Sequence, residues 1–176
     1  DIIDLGMVAA MESLNQSFKN GTVFIPEVLA AARAMNAAVL FLEPHLAEKD
    51  KWSGGKILIG TVKGDLHDIG KNMVATMLRG VGFEVVDLGI NIAVDAFVKK
   101  VAEEHPQVLA LSALLTTTMP EMRKVIDALT RAGTRETVKV IVGGAPVNWN
   151  YADDIGADGY ARDAADAIDL VRSLIR

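Results

Sequence analysis

From Lys56 to the C-terminus the chain alternates short β-rich apolar runs with segments of helical periodicity. That alternation constrains the fold more than any other feature. Strands are expected at Lys56–Val62, Glu84–Leu88, Val108–Leu111, Val138–Val142 and, briefly, at Gly159-Tyr160. Helices are expected at Gly70–Val81, Val94–Glu104, Pro120–Ala132, Val147–Ile155 and Ala164–Leu174. Apolar runs of this length joined by helices are strands covered on both faces, and hence parallel. Right-handed crossovers then give an α/β fold with a flavodoxin-like five-stranded parallel sheet. Its ligand crevice opens beside the C-terminal ends of the first and third strands.

The N-terminal part follows a different period. Ile2, Leu5, Val8, Ala9, Leu14 and Phe18 recur at helical spacing, and Asn20-Gly21 suits a left-handed C-cap. Pro26 fits the first turn of a second helix running to about Glu48. That helix carries Ala30, Ala31, Ala32, Ala34, Ala37 and Ala38, small side chains that let helices approach closely. The polar joint Lys49–Gly55 separates the two patterns, so residues 1–50 read as a helical unit and 51–176 as the α/β unit. Asp1 already lies inside a helical pattern, from which we expect the natural N-terminus to precede it.

Composition removes several kinds of chemistry. A net charge of −5 and a pI near 5.2, with Lys and Arg scattered, argue against a nucleic-acid partner. The absence of cysteine excludes disulfides, CxxC redox chemistry, thiolate zinc and iron–sulfur ligation. His45, His67 and His105 are the only imidazoles. No apolar run is long enough to span a bilayer, the longest (Val108 to Leu115) being broken by Ser112, so no membrane role and a cytoplasmic location are expected.

The residues that stand out lie at the expected strand ends. The first strand leads into Gly64-Asp65-Leu66-His67-Asp68-Ile69-Gly70, an imidazole flanked by carboxylates on a loop. Such a group can hold a metal or shuttle a proton. The third leads into Ser112-Ala113-Leu114-Leu115-Thr116-Thr117-Thr118, the fourth into Gly143-Gly144, the fifth into Tyr160-Ala161-Arg162-Asp163. Hydroxyls, glycines and one imidazole therefore converge on one sheet edge, as a large, partly polar ligand requires. Plainer readings stand beside this one. Gly143-Gly144 can be a simple turn, the threonines can cap the helix begun by Pro120, and Asp65 and Asp68 can sit at a helix N-terminus. His45 and His105 read as solvated helix ends without a role.

Asp65-x-His67-x-x-Gly70, then Ser112-x-Leu114, then Gly143-Gly144, each after an expected strand, resemble the signature of cobalamin-binding domains. These occur in methionine synthase, in B12-dependent mutases and in the corrinoid proteins of anaerobic methyl transfer. Met11-Glu12, Phe18, Gly21, Ile25-Pro26-Glu27 and Ala34-Met35 resemble the helical cap joined to that domain in the methyl-transfer proteins, and mutases lack such a cap. Family caps have four helices where two are visible here. The resemblance implies cobalamin, as methylcobalamin or another corrinoid, bound base-off with His67 as the lower ligand of cobalt. Asp65 would hydrogen-bond the other ring nitrogen, and Thr118 would extend that relay. The loop Gly64–Gly70 would contact the cofactor, with Ser112, Leu114 and Thr116 lining the channel for its nucleotide tail. Gly143 and Gly144 would give the tail room, and Tyr160 and Ala161 would border it.

The function so implied is a methyl carrier rather than a complete enzyme. A substrate:corrinoid methyltransferase, of methoxyaromatic O-demethylase, methylamine or methanol type, would place a methyl group on Co(I). A second methyltransferase would pass it to tetrahydrofolate or coenzyme M, and a reductive activase would restore oxidised cobalt. The alanine-rich helices would cover the upper corrin face and swing aside on the Lys49–Gly55 joint. Two alternatives share the signature: the B12-binding subunit of an isomerase, which needs a substrate barrel, and a B12-dependent sensor or regulator.

Overall fold

The structure is a computed structural model and describes residues 6–7, 9–42 and 54–175. Five strands, β1 (Lys56–Thr61), β2 (Glu84–Asp87), β3 (Val108–Ser112), β4 (Lys139–Gly143) and β5 (Gly159–Ala161), form one sheet in the order β2-β1-β3-β4-β5. All pairings are parallel. This is the flavodoxin order, and the direction in which successive strands are added to the sheet reverses between β1 and β3.

Strand residues alternate between the two faces, and each face is covered. Ile57 and Ile59 of β1, Ala110 of β3 and Ile141 of β4 pack beneath α3 (Ile69–Gly80) and α7 (Ala164–Ile175). Leu58, Leu109, Leu111, Val140 and Val142 pack on the opposite face, beneath α4 (Val94–Glu104), α5 (Pro120–Arg131) and α6 (Trp149–Asp154). The α4 and β1 bounds follow the hydrophobic pattern closely; α6 starts two residues later than expected. The Asn148 side chain accepts a hydrogen bond from the Tyr151 amide at 2.9 Å and caps α6, which leaves Val147 outside the helix and buried below it.

At the N-terminal end, α1 (Ala9–Lys19) and α2 (Ile25–Leu42) pack against α3 and α7. Met11, Val28, Ala32 and Met35 join the core formed by Met77, Leu78 and Val171. Glu12–Arg172 and Lys19–Asp169 ion pairs flank that contact on its wet side, where such pairs add little. Of the alanines of α2, Ala32 is buried, whereas Ala30, Ala34 and Ala37 are exposed, so only one edge of the alanine surface serves close helix packing. The expected joint, Gly54 and Gly55 apart, lies outside the described residues, as does His45. His105 is the exposed C-cap residue of α4, as its helix-end reading required.

Candidate functional site

The site is built on the loop that leaves β1. Thr61 ends the strand fully buried, and its hydroxyl donates to the His67 carbonyl at 2.9 Å, closing the loop back on its own strand. Gly64 takes a φ of +81°, which turns the chain so that Asp65 points inward. The Asp65 carboxylate is completely buried, and only hydrogen-bond donors surround it. Oδ2 accepts from the Leu114 amide at 2.7 Å, the Leu115 amide at 3.3 Å and the Thr118 hydroxyl at 2.7 Å. Oδ1 accepts from the His67 amide at 3.1 Å and lies 2.7 Å from His67 Nδ1.

Burial by itself pushes the Asp65 carboxyl upward. The donors from Thr118, Leu114 and His67 outweigh it and hold the group well below the usual carboxylate range. An ionised Asp65 accepts at Oδ1, so Nδ1 of His67 carries the ring proton. In the neutral ring this leaves the lone pair on Nε2, on a side chain that is half-exposed. A carboxylate behind an imidazole in this way fixes the ring's tautomer and orientation.

Thr118 decides between two readings of the threonine run. Met119 occupies the cap position of α5 and no side chain caps that helix. The Thr118 hydroxyl is instead directed at Asp65, with the Leu115 carbonyl 2.9 Å away as a second possible acceptor. Asp68 does sit at the N-terminus of α3, but its carboxylate accepts from the Asn72 side chain at 3.0 Å rather than from a backbone amide of the first turn.

A cleft of about 540 Å³ opens beside His67 and runs between the sheet and helices α3 and α7. Leu66, His67, Asp68, Ile69 and Gly70 form one side of its mouth. Ser112, Leu114, Gly143, Gly144 and Ala161, at the ends of β3, β4 and β5, form the other. Its interior is made by residues that motif reading did not single out, chiefly Ile59, Met73, Val74, Ala110, Ile141 and Ala167. Two of these, Met73 and Val74, lie three and four positions after Gly70 on the sheet-facing side of α3. That spacing was the available signal. Around the half-exposed ring, Leu66, Ile69, Leu114 and Leu115 leave large apolar side chains open to solvent, with Ile69 86% exposed. Four such residues around one imidazole make a surface suited to a flat, largely apolar partner.

Gly64, Asp65, Thr116, Thr118 and Tyr160 do not line the cleft. Asp65 and Thr118 act from beneath it, through the network just described. Tyr160 precedes Ala161 in β5 and so faces the other side of the sheet, edge-on to Trp149 with ring centroids 6.0 Å apart. Thr116 is exposed in the turn before α5. The glycine pair after β4 answers first to its neighbours: a Cβ on Gly144 would lie 1.9 Å from the Ala113 carbonyl oxygen, and one on Gly143 would lie 3.0 Å from that of Ala161. No described residue of α1 or α2 lines the cleft, so the described part of the expected cap covers the outer side of α3 and α7 and leaves His67 open.

Among the described residues no three His, Cys, Asp or Glu side chains gather as a protein-only metal site. His67 offers a single nitrogen donor, which fits a metal whose other positions are filled by a macrocycle. The open apolar rim and the adjoining apolar cleft fit the rest of such a group. Gly70, whose Cβ position meets nothing within 4 Å, keeps the entrance clear.

Fold and site thus define a flavodoxin-like module with one half-exposed imidazole at the mouth of an apolar cleft. Models of the B12 binding domain match residues 55–169 and, for a second type, residues 1–43. The chain belongs to the B12-binding family of corrinoid proteins. It is 45% identical over 177 residues to the trimethylamine corrinoid protein of Methanosarcina barkeri, covering 99% of this chain and 82% of that one. A cobalamin-binding protein from Desulfitobacterium hafniense is similar in structure, with a TM-score of 0.81 and 39% identity over 96% of this chain and 80% of its own. The methanol:cobalamin methyltransferase complex MtaBC of Methanosarcina barkeri matches 99% of this chain and 67% of that one, with a TM-score of 0.90 at 31% identity.

Proposed function

We propose that this protein is a corrinoid methyl carrier that binds cobalamin base-off, with Nε2 of His67 as the lower ligand of cobalt. The observation that carries the reading is the Asp65–His67 pair, 2.7 Å apart and backed by Thr118, set at the mouth of an apolar cleft. When bound, the corrinoid supplies a cobalt centre able to take up and release a methyl group. The chain's own residues do the rest. Asp65 holds the ring proton of His67 on Nδ1 and keeps Nε2 a donor. Thr118 and the Leu114 amide hold Asp65 ionised. The rim of Leu66, Ile69, Leu114 and Leu115 seats the macrocycle and keeps water from the Nε2 side. The cleft between the sheet, α3 and α7 takes the displaced nucleotide tail, with its apolar base against Ile59, Ala110 and Ile141.

The carrier works between a substrate-specific methyltransferase and a second methyltransferase that uses tetrahydrofolate or coenzyme M, with a reductase that restores oxidised cofactor. The relatives named for trimethylamine and dimethylamine support a methylated amine as the donor. An ultraviolet–visible spectrum after reconstitution with hydroxocobalamin tests the reading, wild type beside His67→Ala. The expected result is a red protein after desalting whose spectrum shifts when His67 is lost. A wild-type protein that desalts colourless overturns it.

A further inference from the structure

The loop that carries His67 is not held by its own strand alone. The segment from the last residue of β2, Asp87, to Ile92 runs beside it as a continuation of the sheet. The Thr61 amide donates to the Gly89 carbonyl and the Ile92 amide to the Thr61 carbonyl, both at 3.0 Å. Lys71, buried in the first turn of α3, pairs with Asp87 and so ties the far end of the loop to the same segment. At its centre Asn91 makes two bonds to adjacent residues of the His67 loop. Its side-chain oxygen accepts from the Gly64 amide at 2.7 Å, and its own amide donates to the Asp65 carbonyl at 3.0 Å.

Asn91 makes this double contact from a left-handed backbone, with a φ of +54°. Asparagine tolerates that region better than most residues, at a conformational cost that its two bonds offset. The Gly64 and Asp65 peptides are the ones whose orientation aims the Asp65 carboxylate at Leu114, Thr118 and His67. A rotation there would part Oδ1 from Nδ1 of His67.

We infer that Asn91 is a positioning residue for the cobalt-directed imidazole, acting through the backbone of Gly64 and Asp65. The inference rests on the reading of His67 as the lower ligand, but its first test does not need the cofactor. In the cofactor-free protein, nitrogen-15 imidazole shifts report which ring nitrogen of His67 carries the proton. Asn91→Gly removes the side-chain acceptor while allowing the left-handed backbone, and Asn91→Asp keeps the acceptor. One hydrogen bond at an exposed position corresponds to about a fivefold change in a local equilibrium. The expected result is a roughly fivefold lower ratio of the Nδ1–H to the Nε2–H form in Asn91→Gly, with the wild-type ratio restored in Asn91→Asp. After reconstitution with hydroxocobalamin, Asn91→Gly should retain corrinoid yet shift toward the spectrum of His67→Ala, and Asn91→Asp should not. Wild-type ring shifts in Asn91→Gly overturn the positioning role, whether or not corrinoid binds. Altered ring shifts in Asn91→Gly, together with a wild-type protein that fails to take up corrinoid, would leave the role of Asn91 standing and remove the cofactor reading instead.

Discussion

Replacing Asp65 by asparagine changes one atom of the site and should alter both its stability and its chemistry. All five groups facing the carboxylate within hydrogen-bond distance act as donors in the native arrangement, three at Oδ2 and two at Oδ1. An asparagine has one carbonyl oxygen, so it can satisfy only one of these two sides. The better orientation keeps that oxygen toward Leu114, Leu115 and Thr118. Its NH2 group then faces the His67 amide, donor against donor, and the ring nitrogen Nδ1. The ring can adapt by moving its proton to Nε2 and accepting at Nδ1; the backbone amide cannot. The loss is one charge-assisted bond, worth about 1.5–3 kcal/mol, together with weakening of the bonds that remain. Removing the cost of burying a charge offsets part of this. We expect Asp65→Asn to be about 2–4 kcal/mol less stable than wild type in urea unfolding at neutral pH. We also expect its His67 ring to carry the proton on Nε2, and its hydroxocobalamin complex to lack the histidine-ligated spectrum while keeping the tail bound. A stability loss below about 0.5 kcal/mol with the ring proton still on Nδ1 would refute the argument that a buried charge organises this site.

The same carboxylate gives a pH dependence of definite sign. Its folded value lies below that of the unfolded chain, so its stabilisation is complete above about pH 5 and is lost as pH falls through about 4 toward the folded value; urea midpoints between pH 7 and pH 3 should fall more steeply for wild type than for Asp65→Asn. Gly70→Leu places a side chain where the cleft is open, and should leave stability within about 1 kcal/mol of wild type while reducing corrinoid retention on desalting at least about tenfold. Gly144→Ala forces a Cβ against the Ala113 carbonyl at a φ of +125°, and a loss of about 2–4 kcal/mol in urea unfolding is expected even without cofactor.

The sequence by itself determined the architecture and the sheet edge on which its hydroxyls, glycines and one imidazole gather. Alternating apolar runs and helical segments specify parallel strands buried on both faces, because only that arrangement covers both sides of a strand such as Ile57-Leu58-Ile59. The order of the elements then puts the Asp65–Gly70 loop, Ser112–Thr118, Gly143-Gly144 and the end of β5 on one edge. Local spacing also singles out His67 among the imidazoles, since the carboxylate two residues before it can reach its ring, as the 2.7 Å contact between Asp65 and Nδ1 shows.

Tertiary structure decided what those residues do to one another. Thr118 reads locally as a helix cap, whose hydroxyl would accept from an amide of α5, yet that hydroxyl donates instead to a buried carboxylate 53 residues away, a charge-assisted bond that local spacing does not reveal. Gly143-Gly144 reads as room for a ligand, while the tightest limit at Gly144 is the carbonyl of a neighbouring loop. Tyr160 adjoins the cleft in sequence but faces the other side of the sheet. The interior of the cleft, from Ile59 to Ala167, carries no signal of its own, because apolar residues facing a cavity and apolar residues facing a core are the same in sequence. Asn91 is legible only once two loops from different strands lie side by side. Periodicity reports which side of an element is buried; which polar groups meet across that burial depends on contacts between distant parts of the chain.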